Sequence, residues 1–210
     1  MGNSGLLITP VAELSEDRTL YVGYSYFGAE QRQFVPRSSS GLESSASRTI
    51  FANLTFLPFL EMTLRVAKPY DAGQSLGIGD RSIFMKIRLL KEKGLRPGLS
   101  LGLHDVLSSF GAYFQTNYLV ASKSFSLSGD WSVHSSLGYG MKFKNTNEGY
   151  LLGLFGNTSL RWKQLQLVME YDADQFNTGI KCSLFDRLFV NIGALNMKDF
   201  SAGGSFRMNL

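Results

Sequence analysis

The sequence predicts an all-β protein: a transmembrane antiparallel up-and-down β-barrel of about twelve strands, with both termini on the periplasmic side. Three observations predict it. From about Arg18 to Leu210 the chain alternates apolar and polar residues in runs of roughly ten. No apolar run approaches the roughly 18 residues that a transmembrane helix needs. The connections between runs alternate between tight and long. A strand points successive side chains to opposite faces, so sustained alternation gives one greasy face and one wet face. In a membrane barrel the greasy face meets lipid and the wet face lines the lumen.

Composition agrees. Among 210 residues 44% are hydrophobic and 13% aromatic, with 16 Phe, 9 Tyr and 22 Gly. Mean hydropathy is −0.03, as expected when lipid-facing residues are interleaved with polar ones. The net charge of +4 is too mild to argue for nucleic acid, and no Lys/Arg cluster with interleaved aromatics occurs. The one cysteine, Cys182, excludes an internal disulfide and makes a cysteine-based zinc site implausible. Its neighbours Ile180 and Leu184 place it on the lipid face. No cofactor and no metal are expected. Met1-Gly2-Asn3-Ser4-Gly5 has neither a basic nor an apolar leader region, so an export signal is expected to have been removed.

The alternation places strands near 18–27, 48–57, 59–68, 80–91, 97–104, 112–124, 130–143, 150–162, 164–172, 175–185, 187–195 and 199–210. In the first, Leu20, Val22, Tyr24 and Tyr26 point outward; in the fourth, Ile83, Met85, Ile87 and Leu89 do. In the seventh, Trp131, Val133, Leu137, Tyr139 and Met141 oppose Ser132, His134, Ser136, Gly138 and Lys142. Tight turns fall at Leu57–Phe59, Ser128–Asp130, Trp162–Gln164 and Phe185–Arg187, with Lys91–Arg96 slightly longer. Gly28–Ser47, Lys68–Gly79, His104–Gly111 and Asn145–Gly149 are the longer, external loops. An even strand number then puts both termini on the short-turn side. Residues 1–17 break the alternation and form an N-terminal lead-in or a plug; residues 18–210 form the barrel.

The same parity points Glu61, Arg65, Lys86, Arg88, Gln115, Asn117, His134, Lys142, Arg161, Gln166, Glu170, Lys181 and Arg207 inward. So many charges in a dry core would cost far more than a fold can spare, so they pair, line water, or both. Their excess is basic, which favours anionic solutes if the lumen is open. A salt-bridged network closing a narrow barrel is the competing arrangement.

Motifs with chemical content are few. His134-x-Ser136 has the same-face spacing by which an imidazole activates a hydroxyl, as in outer-membrane phospholipase A and the lipid A deacylase. Those enzymes present the pair to lipid, whereas here it shares the lumenal face. His104-Asp105 sits at a strand end without an identifiable third partner. Asp80, Asp172, Asp174 and Asp199 fall in external loops, where Asp172-Ala-Asp174 is a loose calcium candidate and solvated loop acids are the commoner case. Gly73–Gly79 lacks the following helix and Lys-Ser/Thr pair of a phosphate loop. The final run, with Gly203, Phe206 and Met208, resembles the terminal signal read by barrel-assembly machinery.

Several ordered blocks resemble one family. Gly5-Leu-Leu-Ile-Thr-Pro-Val-Ala-Glu-Leu14 and Asp17-Arg-Thr-Leu-Tyr-Val-Gly-Tyr24 are similar to the opening of the YjbH-like outer-membrane exopolysaccharide proteins. So are Phe56-Leu-Pro-Phe-Leu-Glu61, Gly79-Asp-Arg-Ser-Ile-Phe-Met-Lys86, Arg96-Pro-Gly-Leu-Ser-Leu-Gly-Leu-His-Asp105, Asn117-Tyr-Leu-Val-Ala-Ser-Lys123, Leu137-Gly-Tyr-Gly140 and Met169-Glu-Tyr-Asp172. The resemblance implies an outer-membrane barrel of a Gram-negative bacterium, tied to secreted polysaccharide, with some members lipidated. It carries no catalytic residue. This chain differs in being several-fold shorter than typical members and in having His104 where an Arg is common. The expected partners are outer-membrane lipid and lipopolysaccharide, the barrel-assembly machinery, and polysaccharide or a larger outer-membrane complex. The expected function is non-enzymatic: help in exopolysaccharide export, or a narrow channel with a basic lumen. The alternatives are a structural subunit of a larger complex and, less favoured, a lipid hydrolase.

Overall fold

The computed structural model describes residues 5–28, 46–69, 80–105, 115–142 and 151–210. Twelve strands close into one barrel: β1 (Thr19–Phe27), β2 (Ser47–Leu57), β3 (Leu60–Pro69), β4 (Asp80–Leu90), β5 (Gly98–His104), β6 (Thr116–Ser126), β7 (Trp131–Met141), β8 (Gly153–Trp162), β9 (Leu165–Tyr171), β10 (Phe176–Leu184), β11 (Leu188–Leu195) and β12 (Asp199–Asn209). Each is antiparallel to its sequence neighbours, and β1 pairs with β12 from Thr19↔Asn209 to Phe27↔Ser201. Closure leaves no unpaired edge, which a bilayer requires. The described residues include no helix.

The alternation sets the faces. Along β2, Ser47, Thr49, Phe51, Asn53 and Thr55 are buried inward, while Ile50 and Phe56 are exposed. The outer wall has the layout of a lipid-facing surface. Leu64, Leu137, Leu167 and Ile192 form a mid-height apolar band, and Leu137 is 60% exposed. Aromatic residues flank it, with Phe56, Phe59, Phe125, Trp131 and Trp162 at one end and Tyr24, Tyr139, Phe176 and Phe200 at the other. Trp131 and Trp162 are direct cross-strand partners, stacked with centroids 5.8 Å apart. The Trp and Tyr side chains among them are apolar in body and polar at the tip, which suits the headgroup level.

The start of β1 and the end of β12 lie at the end that carries the tight turns, where Leu210 N–H donates to the Arg18 carbonyl at 2.8 Å. At this turn end Phe185 and Asp186, with φ of 52° and 55°, open the three-residue connection Phe185–Arg187, closed by Arg187 N–H to Leu184 O. Two successive positive φ values match the twist of the flanking strands. At the opposite, loop end, Asn196 and Met197 do the same. The long loops expected at Gly28–Ser47, Lys68–Gly79, His104–Gly111 and Asn145–Gly149 fall largely outside the described residues.

The strands differ from the sequence-based bounds mainly where they approach long loops. β6 begins at Thr116 rather than near 112, and β8 at Gly153 rather than near 150. Asn117 lies on the outward parity of β6; Thr116, Tyr118 and Val120 take the inward positions, with Tyr118 ring to ring with Phe155. Taking Gln115 and Asn117 together as inward hid the parity there. Asp172 is also not a solvated loop acid. It is 1% exposed, accepting from the Asp174 and Gln175 amides at 3.2 and 3.0 Å and from Asn177 Nδ2 at 2.9 Å. It therefore caps the β9–β10 turn, a role for which a short carboxylate is well suited.

Toward the loop end rings pack along one arc of the lumenal wall, on β4, β5, β6 and β8. Phe84, His104, Tyr118 and Phe155 pack in sequence with centroids 4.4, 5.1 and 5.7 Å apart, and Arg65 lies over Phe84 at 4.9 Å. His104 is thus an aromatic-packed residue. Tyr118 lies flat over Gly102, where a β-carbon would come within 1.9 Å of its ring.

Candidate functional site in the barrel lumen

Below the ring stack the lumen holds the chain's own N-terminal segment, Gly5–Glu16. It enters at the turn end and folds back as a hairpin whose tip is Leu6–Thr9. Leu6 N–H donates to Thr9 O at 3.1 Å, and Gly5 bridges to Pro10. Leu6, Leu7, Ile8, Thr9, Val11 and Ala12 are all buried. The local sequence explains the shape. Pro10 has no amide to contribute to a longer ladder, and the short apolar run buries itself only if its backbone groups find partners on the wall.

Glu170 on β9 supplies the main partner. Its Oε2 accepts from Leu7 N and Thr9 N, both at 3.1 Å, and from Thr9 Oγ1 at 2.8 Å, while Oε1 accepts from Ile8 N at 2.7 Å. Three successive amides aimed at one carboxylate form an anion-binding nest. A carboxylate 1% exposed is tolerated because these four hydrogen bonds, with a fifth from Asn177 Nδ2 at 3.5 Å, replace its lost hydration. Asn157 Nδ2 donates to Thr9 Oγ1 at 2.8 Å, fixing that hydroxyl as donor to Glu170. The Leu7 side chain fills a notch over Gly179 and Gly193, which are direct partners across β10 and β11.

The remaining lumenal charges follow the segment toward the turn end. Lys86 Nζ donates to Glu13 O at 2.8 Å and Val11 O at 3.1 Å and lies 3.7 Å from Glu61. Glu61 accepts from Ser15 N at 2.9 Å. Lys181 Nζ donates to the Gly5 carbonyl at 2.8 Å. His134 Nε2 lies 3.0 Å from Glu13 Oε2, and Arg207 lies 2.8 Å from Glu16. Ser122 Oγ receives the Ala12 amide at 2.7 Å and bonds Ser136 Oγ at 2.8 Å.

These contacts locate the residues singled out from sequence. Glu61, Lys86, His134, Glu170, Lys181 and Arg207 meet on one object, the N-terminal segment. Arg65 turns to the ring stack and to Ser82 at 3.0 Å. Arg88 bonds the Pro58 carbonyl at the turn end. Arg161 is exposed at the rim, and Lys142 is exposed just beyond β7. His134 and Ser136 share the inward face, but each is engaged elsewhere, one with Glu13 and the other with Ser122. Among the described residues no metal-holding group of three His, Cys, Asp or Glu side chains occurs. Sequence reading missed Ser100, Ser122, Asn157 and the Gly179/Gly193 notch. The inward parity of the amide and hydroxyls was visible; their partner was not.

Beside the segment a cavity of about 570 Å³ remains, running from Phe27 and Leu195 near the loop end to Lys163 and Gln164 near the turn end. Tyr21, Phe51 and Phe189 line it from β1, β2 and β11; Arg161 and Lys181 line it from β8 and β10.

A closed up-and-down barrel with an apolar outer wall, two aromatic belts and a polar interior is a transmembrane barrel of the outer-membrane class. Over residues 1–198 the chain matches the YjbH family, described as "Exopolysaccharide biosynthesis protein YbjH", and it belongs to that family. No curated protein matches it significantly. Among solved structures it is similar in fold to the KdgM porin, at 9% identity and a TM-score of 0.55, covering 89% of this chain and 98% of that one. An outer-membrane channel from Pseudomonas putida F1 aligns at 10% identity and a TM-score of 0.45, covering 94% of this chain and 97% of that one.

Proposed function

We propose that this chain is a non-enzymatic outer-membrane barrel acting in exopolysaccharide export as a narrow, basic-lined channel, and that residues 5–16 are its plug. The turn end, with the start of β1 and the end of β12, faces the periplasm in this reading. The observation that carries it is the destination of the lumenal charges. Glu170 and Lys181 are spent on groups of one segment, and Lys86, though 3.7 Å from Glu61, donates to two of its carbonyls. Lift the segment out and a polar, net-basic bore is left, the condition for passing hydrophilic anions. Family membership supplies the polysaccharide context. The lumenal engagement of His134 and Ser136 supports a non-enzymatic role.

Planar-bilayer conductance tests this on the full chain, a variant lacking residues 1–16, and Glu170→Gln. The expected result is a closed full chain and steady, anion-selective conductance from both variants. Folded variants as silent as the full chain would overturn the channel reading and favour a structural subunit, to which the many segment–wall bonds also lend themselves. Stoichiometric co-purified partners would then identify the complex.

A further inference from the structure

Resting on the channel reading, we infer that the cavity beside the plug is a binding site for an acidic saccharide. Its two arcs differ in chemistry. The arc of β11, β12, β1 and β2 presents rings: Tyr21 and Phe189 lie 5.5 Å apart, and Phe51 lies over Gly23. Flat apolar rings suit the C–H faces of pyranoses. The small residues Gly23 and Ser205, opposite Phe51 and Phe189 in the register, let these rings lie along the wall.

The arc of β8 to β10 presents cations. Arg161 is exposed at the rim, and Lys181 bonds the neutral Gly5 and Leu6 carbonyls. The cavity's own acids, Glu13 and Glu16, are committed to His134 and Arg207. A ligand carboxylate therefore meets positive charge on this arc, and a carboxylate is a stronger acceptor for Lys181 than a carbonyl. The volume, about 570 Å³, lies in the range of small-molecule sites. A ring-lined wall facing a cationic wall selects a sugar that is both stackable and anionic.

The experiment is calorimetric titration of the full chain, folded in detergent, with β-1,4-linked triglucuronate and with the β-1,4-linked glucose trimer, which differ only at C6. We expect triglucuronate to bind at least about tenfold tighter, the size of one charge-assisted hydrogen bond, and to weaken with added salt. Arg161→Gln reduces the preference and leaves the glucose trimer unchanged, whereas Phe189→Ala weakens both. Heat-modifiable migration confirms that each variant is folded. Equal affinity for the two trimers, no binding of either, or an Arg161→Gln variant that keeps the full preference would overturn the inference. Its failure is separable from that of the channel reading. A chain that binds neither trimer yet conducts once residues 1–16 are removed fails only here. A chain that binds with the expected preference yet never conducts fails only there.

Discussion

Gly179 stands directly opposite Gly193, and the space their missing β-carbons leave is occupied by Leu7. A β-carbon built on Gly179 would lie 2.8 Å from Leu7 Cδ1, and one built on Gly193 would lie 3.0 Å from the same atom. Real β-carbons are hardly ever found at the first distance, and the second demands that a neighbour yield. The same β-carbons would also meet backbone, Ile192 O at 2.5 Å and Thr178 O at 2.9 Å, so the glycine pair is a keyhole shaped by Leu7 and by the facing strand together.

Gly193→Ala is therefore expected to overpack the notch and destabilise the plugged barrel by about 1–3 kcal/mol. Leu7→Ala in the same chain should recover part of that loss, because it vacates the crowded volume. A double-mutant cycle on thermal or denaturant unfolding checks the coupling, and strictly additive effects would count against the keyhole.

Glu170→Gln keeps the shape and removes the charge that three amides and a hydroxyl address. The loss is expected at about 1.5–3 kcal/mol, the range for hydrogen bonds to a charged group. The readout is cleavage of the N-terminal segment by an added protease in the folded barrel. Digestion should be faster for the variant, with the barrel itself intact.

Acid should loosen the same segment from the other side. Burial pushes the Glu13 carboxyl up, but the His134 hydrogen bond and charge together with the Lys86 charge outweigh it and hold the group below its ordinary 4.5. A carboxyl depressed in the folded state contributes stability above its unfolded value and loses it as pH falls through the folded one. Segment protection should thus decline as pH falls below 4.5. Glu13→Gln should flatten that part of the profile in the same protease assay.

Leu137→Arg places a charge in the middle of the outer apolar band. The expected penalty is about 2–4 kcal/mol for folding into vesicles. The same change should be far milder in a detergent micelle, whose surface lies closer. Equal penalties in the two media would argue that this face does not meet a bilayer core.

The barrel was legible because alternation is local. Reading Trp131 to Met141 needs no knowledge of the rest of the chain, and the inward set on β2 or β7 follows from parity alone. Parity failed at Asn117, where the strand begins later than the polar run before it. It also failed to show that Asp172 turns back onto its own loop. The lumen was half legible. Glu61, Lys86, Glu170 and Lys181 could be assigned inward from sequence, but their partners are backbone groups of residues 5–15, more than forty positions away in every case. A backbone amide leaves no signature in composition. A glycine pair likewise reads as flexibility until the residue lying on it is known.

The segment's bonds reach β3 at Glu61, β4 at Lys86, β5 at Ser100, β6 at Ser122, β7 at His134, β8 at Asn157, β9 at Glu170, β10 at Lys181 and β12 at Arg207. It works as the hub of a wheel whose spokes are side chains. Glu16 and Arg207, at opposite ends of the chain, are 191 positions apart. The hub can be fully seated only once the rim is complete. Residues 5–16 are then the last to find their places, and a seated hub reports that these nine strands are home.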